Sequence, residues 1–227
     1  AVEASGIRRM FELVANMEDP INLSIGQAHF DVAAPVKAAA IAAIEEDFSR
    51  YTVTQGLPEL NDRILGYMAD RYGYAGHDSI VTCGVSGGLM LGFMALLDPG
   101  DEILVPDPYF TMYPVLAGMC SGVPVSYDLY PGHPLTEAEL ERHITAKTRL
   151  ILINSPSNPT GRTLNDAELK AVGAVADRHD LVVISDEIYD AFVYDGPPVS
   201  AVGRVDPERL VVLGGLSKTY AMPGWRL

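Results

Sequence analysis

The sequence is poor in cysteine, in basic residues and in long apolar runs. Its two cysteines, Cys83 and Cys120, are too few for a disulfide framework, and no secretion signal opens the chain. We therefore predict a cytoplasmic protein whose cysteines are small buried hydrophobes. Sixteen basic against thirty acidic residues give a net charge of −14, which disfavours nucleic acid and anionic membranes as partners. No apolar run is long enough to span a bilayer.

The remaining composition describes a folded protein without an obvious metal site. The five histidines show no paired ligand spacing, so we predict that no metal is bound. Hydrophobic residues make up 48% of the 227 residues and charged ones 20%, which disfavours disorder. A chain of this length buries roughly 70 to 75% of its unfolded surface on folding, enough for one large core.

Short apolar runs alternate with helical patterns along the chain. We count about six strands, drawn from the runs at 21–25, 79–82, 102–105, 123–127, 150–153, 181–184 and 211–213. Helical spacing predicts helices within 1–20, over 35–48 and around 60–68, while glycine and capping signals predict others beginning near 84, 113, 136 and 163. Because the strands are apolar on both faces, we predict an α/β fold, a mainly parallel sheet with helices on both faces.

The ends of the predicted strands carry the unusual residues. They are the segments 84–87, 106–110, 154–161, 186–189 and 217–218, and in an open α/β sheet ligands bind at the carboxyl ends of strands. We therefore predict one crevice lined by five strand ends. The amides of Val85, Ser86 and Gly87, at a helix start, suit a phosphate, although close packing of helix on sheet explains the same glycines.

Lys218 and Asp186 have surroundings that indicate chemistry. Lys218 follows an apolar strand and two glycines, so desolvation and the charge of nearby Arg226 would favour a neutral, nucleophilic amine. Asp186 ends an apolar strand and needs a partner there: a pyridinium N–H is one candidate, and an arginine or a helix cap are others. If the partner is a pyridinium ring, Tyr189, three residues later, could reach a different edge of that ring.

Three motifs resemble those of the class I and II aminotransferases, which are fold-type I pyridoxal-phosphate enzymes, both in sequence and in their order along the chain. The sequence SKTYAMPGWR at 217–226 resembles the family's cofactor-lysine signature, and SNPTG at 157–161 and DEIY at 186–189 have the family's order and spacing. The resemblance covers nearly the whole chain. It implies a homodimeric enzyme of amino acid metabolism that uses pyridoxal 5′-phosphate to move an amino group from an L-amino acid to a 2-oxo acid.

The resemblance also implies roles for single residues. The catalytic residues would be Lys218, which binds the cofactor covalently and moves a proton, Asp186, which keeps the pyridine nitrogen protonated, and Tyr189. The remaining expected contacts are Asn158 and Tyr189 to the ring's phenolic oxygen, Phe110 stacked on the ring, Val85, Ser86, Gly87 and Arg226 at the phosphate, Tyr51 at the phosphate of the partner subunit, and Gly26 near the substrate's carboxylate.

The sequence departs from the family's pattern in places. Gly215 stands where a phosphate-binding serine is usual, and Gln27 and Ala28 replace an acidic residue and a proline. The family's final strand and small domain would follow Leu227. We therefore interpret residues 1–30 as an N-terminal arm or small-lobe segment and residues 31–227 as the large cofactor-binding domain, incomplete at its carboxyl end.

The cofactor motifs do not decide which bond of the substrate breaks. A pyridoxal-phosphate lyase of the same fold, such as a carbon–sulfur β-lyase, is therefore an alternative enzyme. A ligand-sensing domain of a transcriptional regulator is the alternative from another class, although the acidity of the chain disfavours DNA binding.

Overall fold

Five parallel strands form the central sheet of the protein. The computed structural model describes residues 26–74 and 77–227, together with Val14, Met17 and Ile21; apart from these three residues, the predicted helix within 1–20 and strand at 21–25 lie outside the described residues. The strands are β1 (Glu102–Asp107), β2 (Val123–Asp128), β3 (Thr148–Asn154), β4 (Val182–Asp186) and β5 (Leu210–Leu213).

The strand order places a crevice in the middle of the sheet. The order is β2-β1-β3-β4-β5, and every neighbouring pair is parallel, which confirms the predicted sheet. The chain goes outward from β1 to β2 and then crosses to the other side at β3. The topological switch point therefore lies between β1 and β3, where ligands bind in folds of this kind.

Helices connect the strands and begin largely where the sequence signals place them. The described α-helices are α1 (Ala34–Glu45), α2 (Pro58–Tyr72), α3 (Gly84–Leu96), α4 (Met112–Met119), α5 (Glu137–Glu141) and α6 (Asp166–His179). Asn165 caps α6 with a complete capping box. Helix α1 ends before the predicted Phe48, because Asp47 takes a left-handed φ of 56°. Within the described ranges, no helix has the length and apolarity to cross a membrane.

Both faces of the sheet are buried, as strand β3 illustrates. Ile151 and Ile153 belong to the apolar cluster that includes α6, whereas Leu150 and Leu152 belong to the cluster that includes α3 and α4. All four side chains are fully buried. Burial of such a side chain is worth about 1.5–3 kcal/mol, which explains why the run is continuously apolar. Helices on both faces are thus confirmed.

The predicted strand at 79–82 is wrong. These residues carry no strand pairing to any described part of the chain, although the amide of Val81 donates to the carbonyl oxygen of Gln55 (2.9 Å). A run such as Ser79 to Thr82, with two β-branched apolar residues, favours an extended backbone, whereas a strand also needs a neighbour with which to exchange hydrogen bonds. The segment still leads directly into α3, so its end keeps its place beside the sheet.

Candidate active site

The amine of Lys218 lies beside a phenol and a backbone carbonyl. Nζ donates to the carbonyl oxygen of Gly26 (2.7 Å) and stands 5.5 Å from the centroid of the Tyr189 ring. A Cβ atom added to Gly26 would lie 3.5 Å from Nζ and 3.7 Å from the Tyr189 hydroxyl oxygen. The structure therefore brings these three predicted residues together around one small space. Lys218 is half-buried, so it is less desolvated than the sequence led us to expect.

Asp186 holds a buried carboxylate at the end of β4. Its side chain accepts a hydrogen bond from the Tyr113 hydroxyl (2.7 Å, at Oδ2) and another from the Ile188 amide (3.2 Å, at Oδ1). Burial raises the pKa of Asp186 to about 6, although both hydrogen bonds lower it. Within residues 26–74 and 77–227, no basic side chain contributes to this pKa. The carboxylate is thus held in place, and none of the described residues supplies a cation to neutralise it.

Asn154 ties the loop that carries Asn158 to the end of β4. Its Nδ2 donates to the carbonyl oxygen of Asp186 (2.9 Å), and its Oδ1 accepts from the amide of Asn158 (2.7 Å). Asn154 is almost completely buried, so both halves of its amide are used inside the protein. Asn154 therefore holds the backbone of Asn158, which is half-buried, close to the end of β4 at Asp186.

Arg226 lies against the first turn of α3. Its Nη2 donates to the carbonyl oxygen of Cys83 (3.1 Å) and its Nη1 to that of Pro223 (2.9 Å). Gly84 has a φ of +66°, and a Cβ there would lie 2.7 Å from Nη2 of Arg226. The predicted amides of Val85, Ser86 and Gly87 belong to this same turn, and those of Val85 and Ser86 are among the first N–H groups of the helix, which have no intrahelical partner. A guanidinium beside a helix N-terminus is suited to an anion such as phosphate.

Phe110 packs against Tyr113, the residue whose hydroxyl donates to Asp186. Its ring meets the ring of Tyr113 edge to face, with centroids 5.5 Å apart and an interplanar angle of 83°. Phe110 follows β1 and is half-buried. Because β1 borders the switch point, Phe110 and Asp186 approach the crevice from different strands.

Tyr51 is the predicted site residue that the described structure leaves apart from the others. Its side chain is fully exposed, and none of the described residues accepts a hydrogen bond from it or donates one to it. The expected contact is with a partner subunit, so the position of Tyr51 in one chain does not test that expectation.

The sequence and the fold both match a known family. A family model described as "Aminotransferase class I and II" matches residues 18–227. The chain belongs to the class I and II aminotransferases. It is 38% identical, over an alignment of 228 positions, to a probable aspartate aminotransferase of Methanocaldococcus jannaschii, and 38% identical over 232 positions to the putative aminotransferase YugH of Bacillus subtilis. The predicted family is thereby confirmed.

Solved aminotransferase structures share the fold. The aspartate aminotransferase from Rhizobium meliloti superimposes with a TM-score of 0.92 at 34% identity, covering 100% of this chain and 60% of that one. A single mutant of the Thermus thermophilus aspartate aminotransferase gives 0.92 at 34%, covering 100% and 61%. In the two sequence matches this chain is covered completely and the relative to 60%. The aminotransferase chain therefore spans about 60% of the length of the curated relatives it matches.

Two residues that position the candidate site were missed in the sequence. Tyr113 looks like an ordinary core aromatic, and Asn154 looks like the first residue of a loop. The available signals were the spacing of Tyr113 three residues after Phe110 and the placement of Asn154 at the last position of a buried strand, where a polar side chain needs partners. One cysteine prediction was also wrong: Cys83 is exposed and lies at the residue before α3, where its carbonyl oxygen accepts from Arg226.

Proposed function

We propose that the protein is a pyridoxal-phosphate-dependent aminotransferase that moves the α-amino group of an L-amino acid to a 2-oxo acid. The observation that carries this proposal is the placement of the Lys218 amine, which donates to the carbonyl of Gly26 (2.7 Å) and lies beside the Tyr189 ring. A lysine placed in this way can act as a nucleophile and then as a proton carrier in one small space.

The charges of the site fit pyridoxal phosphate. Asp186 offers a buried carboxylate with no cationic partner among the described residues, which suits a protonated ring nitrogen. Arg226 and the first turn of α3 offer donors that suit the phosphate. When bound, the cofactor supplies an electron sink for the negative charge that develops on the substrate's α-carbon. Both of its charged ends therefore have a counterpart in this chain.

Each predicted residue has a task in this proposal. Lys218 anchors the cofactor through Nζ and carries a proton to and from the α-carbon of the substrate. Asp186 holds the proton on the ring nitrogen, and Tyr189 and Asn158 donate to the phenolic oxygen. The other assignments are Phe110 against the ring face, Val85, Ser86, Gly87 and Arg226 at the phosphate, and Gly26 near the substrate's carboxylate.

We further propose that the enzyme is a homodimer in which Tyr51 contacts the phosphate bound by the partner subunit. The full exposure of Tyr51 supports this, and so does helix α1, which has no buried residue. Ile41, Ile44 and Phe48 leave apolar surface exposed in and just after α1, as expected for a surface covered in an assembly. The division into a segment 1–30 and a large domain 31–227 is part of the same proposal.

The test uses the protein in its complete natural length with added pyridoxal phosphate. We expect amino transfer that requires both an L-amino acid and a 2-oxo acid, a visible absorbance band, and a borohydride-stable adduct on Lys218. Lys218→Ala should remove all three, whereas Lys170→Ala should leave them intact, because Lys170 forms an exposed ion pair with Asp166 (2.7 Å). A stable adduct on another lysine would contradict the proposal, and substrate cleavage independent of a 2-oxo acid would favour the lyase.

A further inference from the structure

A polar cluster outside the proposed catalytic residues connects helix α2 to the residue after Tyr189. The hydroxyls of Tyr67 and Tyr72 both donate to Oδ2 of Asp190, at 3.0 and 2.9 Å. Nε of Arg71 lies 3.6 Å from the same oxygen and donates to the Tyr72 hydroxyl (2.8 Å). Three side chains of one helix thus converge on a single carboxylate oxygen. We call Tyr67, Arg71, Tyr72 and Asp190 the α2 clamp.

The two phenols of the α2 clamp keep their protons well above neutral pH. Burial, followed by the charge of Asp190, raises the pKa of Tyr67 to about 12, and burial also raises the pKa of Tyr72. The Asp190 side chain is 19% exposed and that of Arg71 is 32% exposed, so water screens the cluster only in part. Tyr67 and Tyr72 therefore remain hydrogen-bond donors to Asp190 at neutral pH.

The α2 clamp acts on the turn that carries Tyr189. The amide of Asp190 donates to the carbonyl of Glu187 (3.0 Å), and the amide of Phe192 donates to that of Tyr189 (2.8 Å), so Tyr189 lies inside two overlapping turns. Nη2 of Arg71 also reaches the backbone carbonyl of Asp190 (3.4 Å). The backbone at Asp190 is thus fixed from the side of α2 as well as from the sheet.

The α2 clamp is connected to Lys218 through Tyr189. Helix α2 is hydrogen-bonded to Asp190, and the Lys218 amine lies beside the ring of the preceding residue, Tyr189. A displacement of α2 would change the distance between the phenol of Tyr189 and the amine of Lys218, which now lies 5.5 Å from the ring centroid.

We propose that Asp190 is a positioning residue: by tying the Tyr189 turn to helix α2, it keeps the phenol of Tyr189 in position beside the amine of Lys218. The inference rests on the proposed function, because it assigns Asp190 an effect through the hydroxyl of Tyr189. In the proposed function, that hydroxyl would donate to the phenolic oxygen of the cofactor. A hydrogen bond donated to an oxygen anion stabilises the anion, and so lowers the pKa at which this oxygen loses its proton. Loss of the clamp weakens this bond and raises that pKa.

The experiment measures the pH midpoint at which the visible absorbance of the bound cofactor changes in the complete protein. Asp190→Ala should raise the midpoint by about half a unit to one unit, the size of a single hydrogen bond. Asp190→Asn keeps one acceptor oxygen and should raise it less. The double variant Tyr67→Phe/Tyr72→Phe should act like Asp190→Ala. Tyr74→Phe is the matched control, because its hydroxyl donates to the Leu210 carbonyl (3.4 Å) and not to the clamp.

A double-mutant comparison separates positioning from a general loss of structure. If Asp190 acts through Tyr189, then Asp190→Ala should add nothing in a Tyr189→Phe background. An equal rise in that background, or an unchanged midpoint in both Asp190→Ala and the double tyrosine variant, would overturn the proposal. Should the Asp190→Ala protein fail to fold, the tyrosine variants decide alone.

A second readout does not depend on the cofactor. In protein prepared without it, the rate at which a small anhydride acylates Lys218, relative to Lys170, reports the surroundings of the Lys218 amine. We expect Asp190→Ala to change this ratio and Tyr74→Phe to leave it unchanged. An unchanged ratio in Asp190→Ala would contradict the proposed effect of Asp190 on the Lys218 amine. A wild-type protein without visible absorbance would count against the proposed function instead, and the acylation ratio would still decide on Asp190.

Discussion

The two sides of the candidate site are built in different ways. On the β3–β4 side, Asn154 and Asp186 stand at strand ends, are almost completely buried, and hydrogen-bond to neighbouring parts of the protein. On the β5 side, Lys218 and Arg226 lie on loops, are half-buried or exposed, and donate to backbone carbonyls. The acidic side is thus fixed by the sheet, and the basic side depends on loop contacts.

The difference shows where a ligand has to supply charge. Within the described residues, neither Lys218 nor Arg226 forms an ion pair with a carboxylate, and Asp186 forms none with a base. Several charges elsewhere in the described residues are paired, for example Arg204 with Asp166 (2.9 Å). Charges that stay unpaired at a strand-end crevice indicate a ligand that carries both signs.

The largest expected effect comes from removing the charge on the sheet side. Asp186→Asn keeps the size of the side chain but cannot stabilise a protonated ring nitrogen, so we expect a fall in amino transfer of about 100-fold or more. Asp195→Asn, at an exposed position, is the control. Steady-state rates with and without excess cofactor measure the effect. An activity within threefold of the wild type would remove Asp186 from the catalytic residues.

The same substitution makes a prediction on stability. The folded-state pKa of Asp186 is raised from 3.8 to about 6, so its favourable contribution is complete below pH 3.8 and is lost as the pH rises through 6. Without cofactor, the wild type should therefore lose about 2 kcal/mol relative to Asp186→Asn between pH 4 and pH 7. Urea unfolding at the two pH values tests this, and a difference independent of pH would contradict it.

Much of the sheet side could be predicted from the sequence. The runs at 150–153 and 181–184 are apolar on both faces because both faces are covered, so they predict buried parallel strands. Asp186 then stands out, since a carboxylate at the end of such a run needs a partner. Pattern and burial point to the same residues here, and the strands and their ends were found accordingly.

The supporting contacts could not be predicted, because they join residues far apart in the chain. Nothing in the local sequence of Tyr113 shows that its hydroxyl meets Asp186, 73 residues away. Asp190 and α2 are likewise joined across more than 100 residues. The segment 79–82 fails for a related reason, since strand pairing depends on a neighbour and not on the propensity of the run itself.

A medium effect is expected from crowding the basic side. Gly84→Ala would place Cβ 2.7 Å from Nη2 of Arg226, which forces the guanidinium to move, and we expect cofactor affinity to fall about tenfold. Gly100→Ala is a matched control, because Gly100 also has a positive φ (+90°) but nothing lies within 4 Å of its Cβ. Titration of cofactor absorbance compares the two variants. Equal losses would assign the effect to backbone strain alone.

A smaller effect is expected from Tyr113→Phe, which removes one hydrogen bond from Asp186 and keeps the ring against Phe110. The free energy of unfolding should fall by about 1 kcal/mol at pH 8 and by less at pH 4, where a neutral carboxyl needs the donor less. Because the Tyr113 hydroxyl lowers the pKa of Asp186, the variant should also raise the pH at which Asp186 titrates. Unfolding at several pH values, or NMR of the carboxyl carbon, measures this. An unchanged titration would show that the bond to Tyr113 has no effect on the charge.

The smallest effect on folding is expected at Tyr51, the most exposed of the predicted site residues. Tyr51→Phe should change the free energy of unfolding of the single subunit by no more than about 0.5 kcal/mol, as at other surface positions. Its effect should appear in cofactor affinity, and only at protein concentrations at which two subunits associate, because the proposed phosphate contact comes from the partner. Cofactor titrations above and below the association midpoint, with Tyr194→Phe as a second exposed tyrosine, test this dependence. An affinity loss that is the same at both concentrations would place Tyr51 in the site of its own subunit. The basic side of the site would then be complete within one chain.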